Sequence, residues 1–582
     1  MKPMMRRREF LSSSARYLGA GALGFAGSGW NRAIAAPLET APAGAVVLNQ
    51  VGYLPALSKR ASVNDRATSF VVRSSAGNEI VHRGTLSAPK ADAASGDSLQ
   101  TADFSALTTP GSYLLELDSG NQSLPFRIAG DIYRDALRLT MRSYYGQRCG
   151  CNVDLGGGYA HPACHPSAAY HASSGKSGVL HNHGGWHDAG DYGRYIVNSG
   201  ISSGTLLWAW ELYQRTLSKL SLQNPESGGK IPDFLAEVKW NLDWTLTLQD
   251  DDGGVWHKQT SLRFCAFIMP QDDILTSYVI GTGEPAYKGT CATADFAAVM
   301  AIAARCYGAY DSAYAKRCLA AARRAWNWCR RNPKILFHNP PDVSTGEYGD
   351  TGCGDEMLWA AAELWRTTGE AEYLKAFVTV AGKPESIVTT APSWSDLSAM
   401  AYWTYALASR KDATGLQKAI RQATAKAAES LAANSNSNGY GNTLSESDYV
   451  WGSNGVAGNH SMLLFIAHHF HANNSFVEAA LNNLHYLLGR NCFGISWVTQ
   501  LGSRPFLHPH HRPSGADHLP DPWPGLLSGG PNAHPADPVA KALSPGPPMR
   551  MYVDDQGAYS VNEVAINWNA PLVFLLAAAN SL

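Results

Sequence analysis

Charge is scarce in this chain. Only 16% of its 582 residues are Asp, Glu, Lys or Arg, and 47 basic residues nearly cancel 48 acidic ones. A net charge of −1 excludes the electrostatic footprint of a nucleic-acid or anionic-membrane binder. Long apolar runs are scarce too. The weakly apolar stretch Tyr17 to Ala26 is short and glycine-rich, which argues against a permanent membrane anchor. The ten cysteines are scattered and need not form disulfides. No segment repeats at a fixed period, although periodicity alone does not separate a barrel from a solenoid. What is present is a globular composition, 45% hydrophobic, in a chain long enough for two domains. Aromatics are plentiful. The 17 Trp and 25 Tyr suit a protein that binds neutral, ring-shaped ligands, though cores use the same residues.

The N-terminus reads as a targeting segment. Arg6-Arg7-Arg8-Glu9-Phe10-Leu11 is a twin-arginine pattern, followed by the apolar run and by Ala33-Ile34-Ala35 as a small-residue cleavage site. A signal peptide over 1–36 predicts a periplasmic or secreted protein, exported folded, with no membrane anchor after cleavage. A Pro/Ala-rich linker covers 37–44. From 45 to 130 the pattern is β: Val46-Val47-Leu48, Phe70-Val71-Val72 and Tyr113 to Leu117 are strand-like, with turns at Gly77-Asn78 and Pro110-Gly111. This spacing predicts a small β-sandwich. From 131 to 582 the texture is helical. Leu206 to Leu212, Phe296 to Met300, Met357 to Leu364 and Met462 to Ile466 are Ala- and Leu-rich with helical spacing. Long glycine- and aromatic-rich loops separate them. An all-α barrel whose loops build a cleft fits this alternation.

The chemistry concentrates in three segments. Gly184-Gly185-Trp186-His187-Asp188-Ala189-Gly190-Asp191-Tyr192 places two carboxylates three residues apart in a loop. The bland reading is a surface Asp-Gly turn. The functional reading is a sugar cleft with a built-in base. Near the C-terminus, Glu563 stands at the mouth of a helix, between Tyr559 and Trp568. It is either an N-terminal dipole partner or a partly desolvated general acid. The two clusters lie at opposite ends of the helical region, and closing an α/α barrel brings its last helix beside its first. The third segment, Leu507-His508-Pro509-His510-His511-Arg512-Pro513-Ser514, has three histidines in four residues. Neutral imidazoles could bind metal. Arg512 would repel a cation, so a donor-rich wall for sugar hydroxyls is preferred.

These motifs resemble glycoside hydrolase family 9, in the subgroup with an N-terminal immunoglobulin-like domain. The family's Asp-x-x-Asp loop matches Asp188-Ala189-Gly190-Asp191. Its histidine signature matches Ser496, Val498, Thr499, Gly502, Arg504, Pro509, His510 and Arg512. Its acid signature matches Tyr552, Asp554, Tyr559, Glu563, Ala565, Asn569 and Ala570, and Leu48 to Tyr53 resembles the subgroup's β-domain opening. The resemblance implies an inverting endo-β-1,4-glucanase on an (α/α)6 barrel. Asp191 would be the base, Asp188 would hold the water, Glu563 would be the acid and Asp554 its support. His510 and Arg512 would touch the sugar. Inversion would require the acid and base carboxyls to stand roughly 6.5–9.5 Å apart. An exo-acting β-glucosidase or glucosaminidase is the alternative within the family, and a non-catalytic carbohydrate-binding protein the alternative outside it. A β-glucan is the expected partner and a monomer the expected state. With no carbohydrate-binding module evident, soluble or amorphous glucans are favoured.

Two metals are expected. Cys149, Cys164, His165 and His187 form a Cys2His2 set suited to tetrahedral zinc, with Cys151 able to replace Cys149 and buried free thiols as the plain alternative. The resemblance implies a similar zinc, which would pin the Asp188 loop from outside the reaction. Thr351-Gly352-Cys353-Gly354-Asp355-Glu356 resembles the family's calcium loop, with Thr351, Gly352, Asp355, Glu356 and Asp396 as ligands, though it also reads as a helix start. Asp250-Asp251-Asp252-Gly253-Gly254 reads as a turn leading to Trp256 and His257, which would line the cleft. Trp186, Trp256, Trp451 and Tyr552 are candidates for sugar stacking. Trp208, Trp210, Trp244 and Trp359 sit in helical patterns and read as core.

Overall fold

The structure, a computed structural model, describes residues 43–410 and 414–582; the twin-arginine segment and most of the linker lie outside them. Eight strands come first: β1 (Val46–Val47), β2 (Arg60–Val63), β3 (Ser69–Ser74), β4 (Ile80–Thr85), β5 (Lys90–Ala91), β6 (Ser98–Asp103), β7 (Gly111–Leu117) and β8 (Phe126–Ile128). They form two antiparallel four-stranded sheets, ordered β1-β2-β6-β5 and β4-β3-β7-β8. Alternation sets the faces: Tyr113, Leu115 and Leu117 are buried while Leu114 and Glu116 are half-buried. The inward residues join Tyr53, Phe70, Val72, Phe104 and Phe126 in one sandwich core. Asn78 turns the β3–β4 hairpin in the left-handed region, φ 56°.

Twelve long helices follow among the described residues: α1 (Arg134–Gly146), α2 (Ile196–Leu217), α3 (Asp233–Thr247), α4 (Thr290–Tyr307), α5 (Ser312–Arg331), α6 (Gly354–Thr368), α7 (Ala371–Ala381), α8 (Ser398–Leu407), α9 (Leu416–Ser437), α10 (Ser453–Phe470), α11 (Asn474–Leu487) and α12 (Ile566–Ala579). Even-numbered helices form the inner ring of an (α/α)6 barrel. Helix α2 packs on α4, α4 on α6, α6 on α8 and α10 on α12; α12 returns to α2 and closes the ring. Burial follows position. Inner α4 is buried nearly all round, whereas outer α5 buries one stripe, including Tyr314, Cys318, Ala321, Ala325 and Cys329. Trp208, Trp210, Trp244 and Trp359 are all core, as their helical patterns predict. No helix among the described residues is long and apolar enough to cross a membrane.

The sandwich docks on the barrel through polar contacts. Gln50 donates its backbone N–H to Leu488 O and its side chain to Gly494 O (2.8 Å), Asn49 reaches His485 Nδ1 (3.0 Å), and Arg550 pairs with Asp97 (2.7 Å). Loops between helices carry a further, five-stranded sheet, formed by β9 (Ala168–Tyr170), β10 (Val179–Leu180), β11 (Arg194–Tyr195), β12 (Lys258–Thr260) and β13 (Tyr278–Ile280), in the order β10-β9-β13-β12-β11. One disulfide, Cys291–Cys353, ties the start of α4 to the start of α6. The scattered cysteine spacing gave no sign of that pair.

Candidate active site

The Gly184–Tyr192 loop leads into β11 and α2. Its glycines are required: Gly184 and Gly185 have φ of 100° and 79°, and a Cβ on Gly185 would meet the Trp244 ring at 2.7 Å. Trp186 is fully buried and donates its indole N–H to Glu237 (2.9 Å). It packs the loop and does not stack on a ligand, which corrects one sugar-stacking assignment.

Asp188 and Asp191 are both buried. Asp188 accepts from Asn198 Nδ2 (2.7 Å) and from the Tyr348 hydroxyl (2.6 Å), one on each oxygen. Burial, with the neighbouring Asp191 charge, pushes its carboxyl up to about 8. Asp191 accepts two donors on Oδ2, the Gly193 N–H (2.9 Å) and the Tyr195 hydroxyl (3.1 Å). Its Oδ1 carries no donor among the described residues. Glu563 sits between a short helix, Tyr559–Asn562, and α12. Burial raises its carboxyl well above the usual range, and the charges of Asp191 and Asp188 add to this, against a smaller opposing effect of Arg512.

The histidine segment is a ruler between the two acid-bearing loops. At one end His510 donates its backbone N–H to Asn562 O (2.9 Å), the residue before Glu563. At the other end Arg512 donates its backbone N–H (3.2 Å) and Nη1 (2.7 Å) to Gly190 O. Arg512 Nε and Nη2 each donate to Cys265 O at 3.1 Å. Arg512 is 5% exposed, so it clamps the loop and offers no free fork to a sugar. His510 stays half-buried, its Nδ1 on Gln556 O (2.7 Å), with Phe267 and Tyr559 against its ring. His511 is buried between Gln147 and Ser514, and burial pushes it down to about 3. Asp554 accepts the Leu507 and His508 N–H groups (2.7 and 2.8 Å) and so fixes this segment to the acid loop.

Three further aromatic and cleft assignments are corrected. Tyr552 is buried and donates to Asn562 Oδ1 (2.7 Å). Trp256 is 2% exposed, with its N–H on Ser174 O (3.1 Å). His257 is buried, stacked on Phe337 (3.6 Å between centroids) and paired with Glu347 O (2.8 Å). All three sit in polar loops, but neighbouring residues cover them: Tyr170 and Ser174 at Trp256, Phe337 and Glu347 at His257, Trp497 and Asn562 at Tyr552. Trp451 differs: it is 41% exposed and lies beside Tyr559. Asp250 forms the expected turn, bonded from its N–H to Gly254 O (2.8 Å).

Sequence reasoning missed Asn198, Tyr195 and Tyr348. Asn198 stands among Ser199, Gly200, Ser202 and Ser203 at the start of α2, so nothing local singled it out, and nothing local marked Tyr348.

Cys149, Cys164, His165 and His187 converge, their ligand atoms all within 4.8 Å of one another. Cys149 Sγ lies 3.9 Å from Cys164 Sγ and 3.8 Å from His165 Nδ1, and Cys164 Sγ lies 3.7 Å from His187 Nε2. Those three separations are near the edge lengths of a tetrahedral site with metal–sulfur bonds of about 2.3 Å and metal–nitrogen bonds of about 2.0 Å. Cys151 stands outside the group. Around the Thr351–Glu356 loop the acids Asp355, Glu356 and Asp396 are joined by Asp350 and Asp295, which the sequence reading left out; these carboxylates repel one another. Thr351 and Gly352 are exposed. Both oxygens of Asp295 and of Glu356 are buried without a hydrogen-bond partner, a donor set that fits a hard cation.

Comparison with known proteins gives one answer. Residues 133–576 match the model of glycosyl hydrolase family 9, and residues 41–122 match the cellulase N-terminal ig-like domain. Endoglucanase D of Acetivibrio thermocellus is 37% identical, over 91% of this chain and 82% of its own length. A cellodextrinase of Butyrivibrio fibrisolvens is 34% identical, over 91% of this chain and 98% of its own. A solved metagenome-derived glycoside hydrolase family 9 endoglucanase superimposes with a TM-score of 0.85 at 36% identity, covering 92% of this chain and 99% of that one. The chain therefore belongs to glycosyl hydrolase family 9, as a glycoside hydrolase with an immunoglobulin-like domain ahead of its (α/α)6 barrel.

Proposed function

We propose that this enzyme is an endo-acting, inverting β-1,4-glucanase. The carrying observation is the His510–Arg512 ruler, which holds the Asp188–Asp191 loop and the Glu563 loop in one site. Asp191 is the base: its Oδ1 takes a proton from water while the water oxygen attacks the anomeric carbon. Glu563, kept protonated by its surroundings, gives its proton to the glycosidic oxygen as that bond breaks. Asp188, fixed by Asn198 and Tyr348, orients the water. His510 contacts the sugar, and Trp451 with Tyr559 forms an exposed aromatic surface for a neighbouring ring. The relatives' names support β-1,4-glucan as substrate. The cellodextrinase keeps an exo-acting enzyme that trims oligosaccharides as the second reading.

Viscosity and reducing ends measured together on carboxymethylcellulose test this: rapid viscosity loss with few new ends supports endo action. Glucose as sole early product would overturn it. Proton NMR of the first product should show the α-anomer.

Two metals and an export route complete the proposal. Zinc held by Cys149, Cys164, His165 and His187 would supply no reaction step but would fix His187, and through it the Asp188 loop. Calcium near Asp355, Glu356 and Asp396 would neutralise that acid cluster. The twin-arginine leader would carry the folded enzyme out of the cytoplasm.

A further inference from the structure

Strand β12 opens on Lys258, whose side chain is fully buried yet touches no carboxylate among the described residues. Its Nζ donates to Asn339 Oδ1 (2.6 Å), Gly346 O (2.7 Å), Thr345 Oγ1 (3.1 Å) and, more weakly, Thr345 O (3.4 Å). The rings of Tyr195 and Phe337 cover it, with centroids at 5.6 and 5.5 Å. Burying an ammonium among neutral oxygens costs several kcal/mol after relaxation, and an apolar side chain would fill the space without that cost. The charge therefore needs a reason.

What Lys258 fastens leads to the reaction centre. Residues 339–348 run as a strap beside β12. Two residues beyond Gly346, Tyr348 donates its hydroxyl to Asp188 Oδ2 at 2.6 Å. Tyr348 holds φ at 46°, a left-handed conformation disfavoured for a bulky residue and kept only where its surroundings impose it. Lys258 imposes it from one side through Thr345 and Gly346, and His257 from the other through Glu347 O (2.8 Å). The second route runs through the paired strand. Lys258 sits opposite Tyr195 in the β11–β12 ladder, and the Tyr195 hydroxyl donates to Asp191.

We propose that Lys258 is a positioning residue for the base side of the site: its ammonium locks the 345–348 strap so that Tyr348 meets Asp188, and it sits behind Tyr195, which holds Asp191. This rests on Asp191 being the base. The charged and titratable groups that face Asp191 are Asp188, Glu563, Tyr195, His510 and Lys258, with Glu347 facing Lys258 from the strap. Burial pushes Lys258 down to about 7, partly offset by the charges of Glu347 and Asp191, so it is cationic in mildly acidic solution.

The test compares kcat, KM and melting temperature for wild type, Lys258→Met and Asn339→Ala, with kinetics on a soluble β-glucan. Lys258→Met should lower kcat by about 10²-fold with KM within a few-fold, because the lost geometry serves the transition state. Asn339→Ala, which keeps the cation but removes one acceptor, should lower kcat by roughly 3–10-fold. A drop in melting temperature alone, with kcat unmoved in Lys258→Met, would mean a merely structural lysine and overturn the proposal. If Lys258→Met does not fold, wild-type kcat in Asn339→Ala overturns it. Asp191→Asn run in parallel separates the two readings: surviving turnover there overturns the base assignment. Loss there, with wild-type behaviour in Lys258→Met, overturns the Lys258 assignment alone.

Discussion

The backbone N–H of Ile566 donates to the carbonyl of Asp188 at 2.9 Å. Ile566 opens the last inner helix three residues after Glu563; Asp188 lies eight residues before the first inner helix. Barrel closure and assembly of the acid–base pair are thus one event. The acids need not be near in sequence, because the ring's seam is where they meet.

Neutralising Glu563 separates its role by leaving group. Glu563→Gln should lose at least about 10²-fold in kcat on a natural glucan, where the departing alkoxide needs a proton. On a 2,4-dinitrophenyl cellobioside the loss should be much smaller, since that leaving group departs unprotonated. Equal losses on both substrates would deny Glu563 the acid role.

The pH profile follows from the same carboxyl. Burial and the Asp191 and Asp188 charges raise Glu563, so its protonated, active form persists as pH rises and is lost only above the usual carboxylic range. The basic limb of kcat/KM should therefore lie well above about pH 4.3, the value for an unperturbed Glu. A limb at ordinary glutamate pH would contradict the buried environment.

Gly190→Ala tests the ruler. A Cβ there would stand 2.1 Å from the His510 carbonyl oxygen, so the base loop and the histidine segment would have to part. Displacement of about 1 Å at a reacting group can cost about 10²-fold, and kcat should fall on that order while the melting temperature drops modestly. Unchanged kcat would show that the spacing tolerates more than the packing implies.

How much of this was legible beforehand depends on which force placed each residue. The β pattern around Tyr113–Leu117 and the helical stripes around Trp208 and Trp359 were readable, because period and apolarity report burial directly. The pairing of Asp191 with Glu563 came from motif resemblance, since local sequence carries no record of barrel closure. Trp256, His257 and Tyr552 were misjudged for one reason: a polar, glycine-rich neighbourhood predicts a loop, not an exposed one. Tyr348, Asp273 and Lys258 went unseen because each matters through a partner remote in sequence.

Asp273 supports a prediction on the metal. His165 presents Nδ1 to Cys149, and its Nε2 meets Asp273 Oδ2 at 3.3 Å, the arrangement of a carboxylate steadying a ligating imidazole. Asp273→Asn should weaken zinc binding by about 10–100-fold, read by chelator competition. Purified wild type should carry one zinc per chain by elemental analysis; a metal-free, active protein would remove the proposed site.

Trp451 carries the last prediction. Of the four aromatics considered for stacking, it alone keeps an exposed ring, and Tyr559 at 5.6 Å connects it to His510. Aromatic contacts of this kind contribute about 0.5–1.5 kcal/mol, so Trp451→Ala should raise KM for long oligosaccharides by roughly 2–10-fold. A ring beside the scissile bond would change kcat too. A ring further along the cleft binds ground state and transition state alike, leaving kcat near wild type. Cello-oligosaccharides of increasing length locate it: the KM penalty should be absent for chains too short to reach Trp451 and appear once they do. A penalty equal at every length would place Trp451 in loop packing instead.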